Sequence, residues 1–393
     1  MNAPKLRFAG FNEPWECRAI RDIGTVITGS TPPRCDSSCW GGEFNWISSK
    51  DFKSKYIFDS DEKITDKGKK HCRLLPAGSV LVTCIGASIG LKAIAKKPCA
   101  TNQQINAVIC RACDNEYLYY LMGFLKAQLR RCAGQTALPI ISKGVFESFE
   151  GNFSCVDEQT AISGVLSSFD SLIDAEALRL ESLGKLKSAC LEKMFTQNDD
   201  LQPRLRVGTF KGVWKQCKLG ECFEERQERS KNGELLSVSQ SLGVIRFSES
   251  GRRNTSNVTS GNYKVVCIGD IAYNSMRMWQ GASGCSSYKG IVSPAYTVVR
   301  PIEGIDSRFA AIVFKTTAML RKFRVYSQGL TSDTWNLKYP QFAEIEWTIP
   351  PTVAEQSAIA DYFERLDEAI SLQGNRIKRL KNLKSACMER MFV

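Results

Sequence analysis

A single histidine, His71, serves all 393 residues. That scarcity makes histidine-dependent catalysis hard to build, and the plentiful Ser, Cys, Asp and Glu residues fall in no recognisable nucleophile or paired-acid setting. No G-x-x-x-x-G-K-[ST] string is present to hold a nucleoside triphosphate, and no strand followed by G-x-G-x-x-G offers a cradle for a dinucleotide or S-adenosylmethionine. No run of about 18 apolar residues is available to span a bilayer, so no membrane partner is expected. The opening string MNAPKLRFAG lacks the apolar stretch of a signal peptide, which leads to the expectation of a cytoplasmic chain with its 16 cysteines mostly reduced. Cys35-x3-Cys39 and Cys110-x2-Cys113 could form a four-thiolate metal site if the fold joined them; small thiols in a core are the simpler reading. Acidic charge is in deficit, 41 Asp and Glu against 53 Lys and Arg, for a net charge of +12 and a pI near 9.0. The excess favours an anionic partner, with nucleic acid first.

What the sequence does contain is a duplication. Val156 to Thr196 returns as Val353 to Val393 at an offset of 197 without a gap, with 17 of 41 positions identical. The openings of the halves repeat as well, at an offset of 199: Pro4, Leu6, Arg7, Phe11 and Trp15 return as Pro203, Leu205, Arg206, Phe210 and Trp214. The chain therefore reads as an α+β protein with a pseudo-two-fold internal repeat: two similar mixed α/β modules, residues 1–155 and 198–352, and two long helices, residues 156–197 and 353–393.

Apolar residues in the first helix fall at Ile162, Leu166, Phe169, Ile173, Leu180 and Leu183, and in the second at Phe363, Leu366, Ile370, Ile377 and Leu380. These alternating three- and four-residue steps are a coiled-coil seam, interrupted at the equivalent positions Glu176 and Gln373. A polar seam residue fixes register, while an exposed helix edge is the plainer alternative. Pseudo-symmetry favours an antiparallel pair separating the modules, a spacer of roughly 60 Å. Modules on one face of it could then touch DNA sites roughly 34 Å apart. Both helices close alike, on Leu186-Lys187 through Met194-Phe195 and on Leu383-Lys384 through Met391-Phe392. Near-identical ends suit two copies of one partner, or packing on the modules themselves.

Within each module the sequence predicts short strands and one amphipathic helix near the end, Asn115 to Arg131 and Ser307 to Arg324, each followed by a glycine, Gly134 or Gly329. Strands are expected at Gly78 to Thr83, Thr101 to Ile109, Leu235 to Gln240, Gly269 to Asn274 and Gly290 to Val299. The most suggestive loop begins at Tyr273-Asn274 and continues through Arg277, Trp279 and Gln280 to Gly281. An arginine suited to guanine, amides suited to adenine and aromatics on a glycine-edged loop make a base-reading surface, although the same Trp and Met residues suit a core equally well. Its counterpart, Thr83 to Gly90 with Ser88, is shorter and uncharged. Ser48, Lys50, Gln103, Ser239 and Gln240 complete the candidate base-facing set, and Lys69, Lys70, Arg252 and Arg253, with Lys67 and Arg73, are candidate phosphate contacts or plain surface charge.

The order and duplication of several of these motifs resemble the specificity subunits of Type I restriction-modification systems over nearly the whole chain. The carriers are Glu158-Gln159-x-Ala161-Ile162 and Glu355-Gln356-x-Ala358-Ile359, Pro350-Pro351 before the second of these, the Trp-led module openings, Gly269-Asp270-Ile271 with Tyr273-Asn274, and Gly290 through Tyr296. The first module departs in lacking the Pro350-Pro351 lead-in. The resemblance implies two target recognition domains reading the halves of a split double-stranded DNA site, asymmetric here because the modules differ. It also implies a non-catalytic subunit that assembles with two modification (methyltransferase) subunits and with restriction subunits. S-adenosylmethionine, ATP and Mg2+ would sit on those partners, with no cofactor, metal or catalytic residue in this chain. The alternative from another class is a coiled-coil protein scaffold without DNA specificity, which would lack the steep salt dependence of phosphate contacts.

Overall fold

The heptad spacing of the repeats produces two long helices, Val156–Lys193 and Val353–Met391. They are seen in the computed structural model, which describes residues 4–133, 139–196, 200–251, 262–331 and 334–392. Acidic residues occupy the first turns (Asp157, Glu158, Glu355) and Lys193 and Arg390 the last, each sign matched to the helix dipole. The chain divides into two compact units, Met1–Ala177 with Asn375–Val393, and Leu178–Gly374. Each unit thus combines one module, the head of the helix that follows it and the tail of the other helix. In the first, Lys384 pairs with Asp170 and Arg376 with Glu176 at 2.9 Å; in the second, Lys187 pairs with Asp367. Residue numbers fall along one helix as they rise along its partner, so head and tail run antiparallel, as the pseudo-symmetry required. Glu176 and Gln373 are buried. They are polar seam residues rather than an exposed edge, which gives up apolar burial in exchange for a fixed register.

In the first module a five-stranded sheet runs in the order Gly24–Thr28, Ile105–Cys110, Val80–Thr83, Lys92–Ala95, Tyr56–Ile57. Neighbours are antiparallel except the last pair, which is parallel. Beside it, Trp40–Ile47 pairs with Glu62–Ile64 and, in parallel, with Cys99–Thr101. The second module repeats the plan with Phe223–Glu225, Tyr296–Pro301, Ile271–Asn274 and Ser283–Cys285 in a four-stranded antiparallel sheet. There Leu235 bridges Ile291 in parallel, the counterpart of the parallel pairing of Trp40–Ile47 with Cys99–Thr101. In both, the strand opening the module pairs with the strand closing it: Glu16–Ala19 with Glu150–Phe153, and Lys215–Lys218 with Glu346–Ile349.

Four expected elements change at this level. The stretch Thr101 to Ile109 is two strands, Cys99–Thr101 and Ile105–Cys110, and Gly290 to Val299 is likewise Gly290–Val292 and Tyr296–Pro301. A turn in each lets one run of apolar residues serve two sheets. Each expected amphipathic helix is also two: Asn115–Phe124 and Lys126–Cys132, then Ser307–Val313 and Thr317–Tyr326. In the second, the Thr316 hydroxyl accepts the Met319 amide and starts a new helix where propensity alone would have continued the old one. Gly134 lies outside the described residues.

The duplicated strings tie each unit together. Glu158 is buried and accepts two hydrogen bonds from Arg7, at 2.7 and 2.9 Å, and one from Trp15 Nε1 at 3.2 Å. Glu355 does the same for Arg206, at 2.8 and 2.8 Å, and for Trp214 at 3.2 Å. Next to them, Gln159 accepts the Asp114 amide and Gln356 the Asp306 amide, each at 2.9 Å, fixing the helix head against the start of a module helix. At the other end, the Leu6 amide caps the Arg390 carbonyl at 2.9 Å and the Leu205 amide caps the Lys193 carbonyl at 2.8 Å. The repeated openings and the repeated helix heads and tails are therefore one clamp, made twice.

Candidate nucleic-acid interface

Met194, Phe195, Met391 and Phe392 are buried, which corrects their assignment to a partner-docking surface. Phe392 packs on Tyr117 and Phe124 with ring centroids 5.2 and 5.6 Å apart. Phe195 stacks on Phe363 at 5.7 Å and meets Trp214. A phenylalanine fully buried this way contributes about 1.5–3 kcal/mol, so each helix tail is core to its unit. The residues just before them differ: Leu186 and Leu383 are 46% and 47% exposed, beside the ion pairs of Lys187 and Lys384.

The Tyr273–Gly281 segment divides between core and surface. Tyr273 is fully buried and stacks on Phe342 at 5.3 Å, and Met278 is buried, so Tyr273 is a core residue and not a base-reading one. The Asn274 side chain accepts the Met276 amide, which holds the turn. A short 3-10 turn, Met278–Gln280, ends at Gly281, whose φ of +83° is a left-handed conformation open to glycine. Asn274, Arg277, Trp279 and Gln280 are left half-buried on the outer side. The Arg277 side chain makes no hydrogen bond or ion pair among the described residues, unlike Arg226, held by Asp270 at 2.7 and 3.0 Å. That second pair also accounts for Gly269-Asp270-Ile271: the buried Asp270 carboxylate accepts Arg226 and the Cys267 amide, a structural role.

Around this loop lie residues that sequence reasoning passed over. Trp279 meets Trp335 edge to face at 5.3 Å, and the Arg324 guanidinium sits 5.2 Å from the Trp335 ring. The signal available was an aromatic and an arginine flanking Gly329, which packing alone brings beside Trp279. Lys315 donates to the Gln240 carbonyl at 2.7 Å and also to that of Gly281, joining the exposed Gln240 to the loop. Burial, then the charge of Lys187, pulls Lys315 down to about 8. Ser239 is engaged with Ser241 and the Leu242 amide.

In the first module Thr83 is buried, its hydroxyl donating to the Ser88 carbonyl at 2.5 Å, so it holds its loop closed rather than facing a ligand. Ser48 caps a short turn through Asp51, while Lys50 is exposed. Gln103 is exposed and bonded to Thr31. Of the basic cluster, Lys69 pairs with Asp66 at 2.7 Å and lies 4.7 Å from the Phe44 ring, and Lys67 pairs with Asp36, holding that carboxyl far below its usual range. Lys70 is exposed and makes no side-chain hydrogen bond or ion pair among the described residues. Arg73 donates to the Thr28 carbonyl at 2.6 Å. Arg252 and Arg253 lie outside the described residues. No group of three or more His, Cys, Asp or Glu side chains comes together among the described residues to hold a metal, and no described helix is long and apolar enough to cross a membrane.

Comparison with known proteins agrees with this architecture. The sequence model for the Type I restriction modification DNA specificity domain matches residues 12–184 and 213–382. The chain is 32% identical over 229 residues to the Type I restriction enzyme MjaIX specificity subunit of Methanocaldococcus jannaschii, covering 53% of this chain and 52% of that one. It is 30% identical over 173 residues to the EcoR124I/EcoR124II specificity subunit of Escherichia coli, covering 41% and 42%. The chain thus spans about half the length, or less, of the curated relatives it matches. Among solved structures, the Type I system S subunit from M. genitalium aligns with a TM-score of 0.62 at 16% identity, over 100% of this chain and 99% of that one. The HsdS subunit from Thermoanaerobacter tengcongensis aligns with a TM-score of 0.52 at 13% identity, over 98% of each.

Proposed function

Because the chain belongs to the Type I restriction modification DNA specificity family, we propose that it reads an asymmetric, bipartite double-stranded DNA site with one module per half-site and docks modification and restriction subunits. The observation that carries this reading is one scaffold built twice with different chemistry at the same loop. Thr83 to Gly90 is uncharged, whereas Asn274 to Gly281 presents Arg277 and Trp279, and both loops follow the central strand of their sheet. Two readers with unlike surfaces imply unlike half-sites. The paired helices set the unread spacing between them. Leu186 and Leu383, exposed at equivalent helix positions, offer two copies of one docking surface. S-adenosylmethionine, ATP and Mg2+ belong to the partner subunits in this proposal.

The test is single-molecule sequencing of DNA from cells expressing this chain with its modification subunit. The expected result is a methylated bipartite motif that changes in one half when residues 198–352 are exchanged for another module. No methylation from a confirmed complex with an active methylase would favour a scaffold instead.

A further inference from the structure

In the second module two separate strings meet on one ammonium. Lys315 follows the helix Ser307–Val313 and precedes Thr316, whose hydroxyl starts the next helix, so the break between the helices fixes where its side chain departs. Its Nζ donates to the Gln240 carbonyl at 2.7 Å and to that of Gly281. Gln240 stands at the tip of the hairpin that pairs Leu236–Ser239 with Gly243–Arg246, and Gly281 closes the loop that carries Arg277 and Trp279. The Gln240 side chain is exposed and, like that of Arg277, makes no hydrogen bond among the described residues.

The first module is built differently at the same place. Asp114 and Asp306 cap corresponding helices, which makes Gly123 the counterpart of Lys315. The Thr83 amide bonds to the Leu91 carbonyl and the Asn274 amide to that of Ala282, which makes Lys92 the counterpart of Ser283. The lysine has thus changed sides, from helix to strand. A side chain at Gly123 would run into the Lys92 ammonium, which donates to the Tyr119 carbonyl at 2.6 Å and so ties the strand to the helix rather than to a loop. Loop 83–90 is held by backbone instead: the Gly86 amide donates to the Pro139 carbonyl at 2.9 Å, and Ile85 bridges Ile140. In the second module Ser275, at the base of the loop, accepts the Leu337 amide, but past it residues 276–280 make backbone hydrogen bonds only within residues 274–282, among the described residues. The bond from Lys315 to Gly281 is the polar tie that sets where this loop sits.

That tie is costly. Burial and the charge of Lys187 both lower the proton affinity of Lys315, and no carboxylate offsets them. A cation held only by carbonyls carries a desolvation penalty that an apolar side chain would avoid. Stability does not account for such a residue, whereas holding two reading strings together does. We propose that Lys315 is the positioning residue of the second reader: one ammonium holds the Gly281 and Gln240 carbonyls, so that the loop and the hairpin tip present Arg277 and Gln240 to DNA as a single surface. The inference rests on the reading of DNA proposed above, and it makes the preferences contributed by Arg277 and Gln240 interdependent.

The test compares the full chain with its Lys315→Met and Lys315→Arg variants. In residue-resolved hydrogen exchange without DNA, Lys315→Met should speed exchange of the Arg277, Gln280 and Gly281 amides by about tenfold, without lowering the melting curve. Lys315→Arg, which can still donate to both carbonyls, should restore slow exchange. In methylation mapping with the modification subunit, Lys315→Met should relax base preference at more than one position of one half-site and leave the other half unchanged. Lys92→Met serves as the control and should leave both the exchange of loop 83–90 and the first half-site as they are; a change there would mean that any lysine at this place disturbs its loop, and would overturn the proposal. Unchanged loop exchange in Lys315→Met overturns it as well. So does loosening of the whole second unit with a lowered melting curve, the mark of a merely structural residue, and so does equal weakening at every sequence, the mark of a phosphate contact. No methylated motif from the unaltered chain in an active complex would count against DNA reading itself, and the exchange result alone would then decide whether Lys315 sets the loop.

Discussion

At the scale of the residue, what separates a reader from a strut is whether its polar atoms are already engaged. Arg226, Arg206 and Arg7 each grip a buried carboxylate, while Arg277 is uncommitted among the described residues. Arg277→Ala should relax base preference in one half-site, by about 1–3 kcal/mol if the guanidinium pairs with a base edge. Methylation mapping of the variant checks this; equal weakening at every sequence would mark a phosphate contact instead. Glu355 is the opposite kind of residue. Its removal leaves Arg206 and the buried Trp214 indole N–H without their partner, and Glu355→Ala should cost about 3 kcal/mol in urea unfolding. A loss under 1 kcal/mol, roughly what an exposed ion pair is worth, would mean that water takes over the clamp.

At the scale of the element, the long helices act through their ends. Each tail inserts a Met-Phe pair into the core of the unit where it finishes, and each head is locked by a Glu-Gln pair. Phe392→Ala should therefore destabilise the first unit by about 3–5 kcal/mol, as large core truncations do. Hydrogen exchange should show the loss around Tyr117 and Phe124 and leave the Trp214 core unchanged. Uniform loosening of both units would instead indicate that the seam had lost its register. The same four residues show why sequence alone misplaced them: an apolar pair at a helix end suits a partner or a core equally, and the rings that receive it are far away in sequence.

At the scale of the whole molecule, the net charge of +12 predicts how a DNA complex responds to salt. If 6–10 phosphates are neutralised, affinity should fall by roughly 10³- to 10⁵-fold between 50 and 200 mM salt. A titration of the assembled complex on its methylated motif measures the slope, and a flat response would remove DNA as the reason for the charge. Lys67 and Lys69 pair with Asp36 and Asp66. Part of the basic excess is thus spent within the protein, and the slope should fall short of a simple count of lysines.

The duplication, the helix pair and the mixed α/β modules were legible in the sequence because they rest on local spacing: a heptad, a constant offset, glycines at turns. Seam positions 176 and 373 were legible for the same reason. Which residues of the candidate interface face outward was not. Tyr273 and Thr83 sit in strings that read as surface loops, yet the sheet turns both inward. Trp335 and Arg324 join Trp279 only because the helix Thr317–Tyr326 packs on that loop. Strand alternation and helix packing decide which way a side chain points, and both depend on partners distant along the chain.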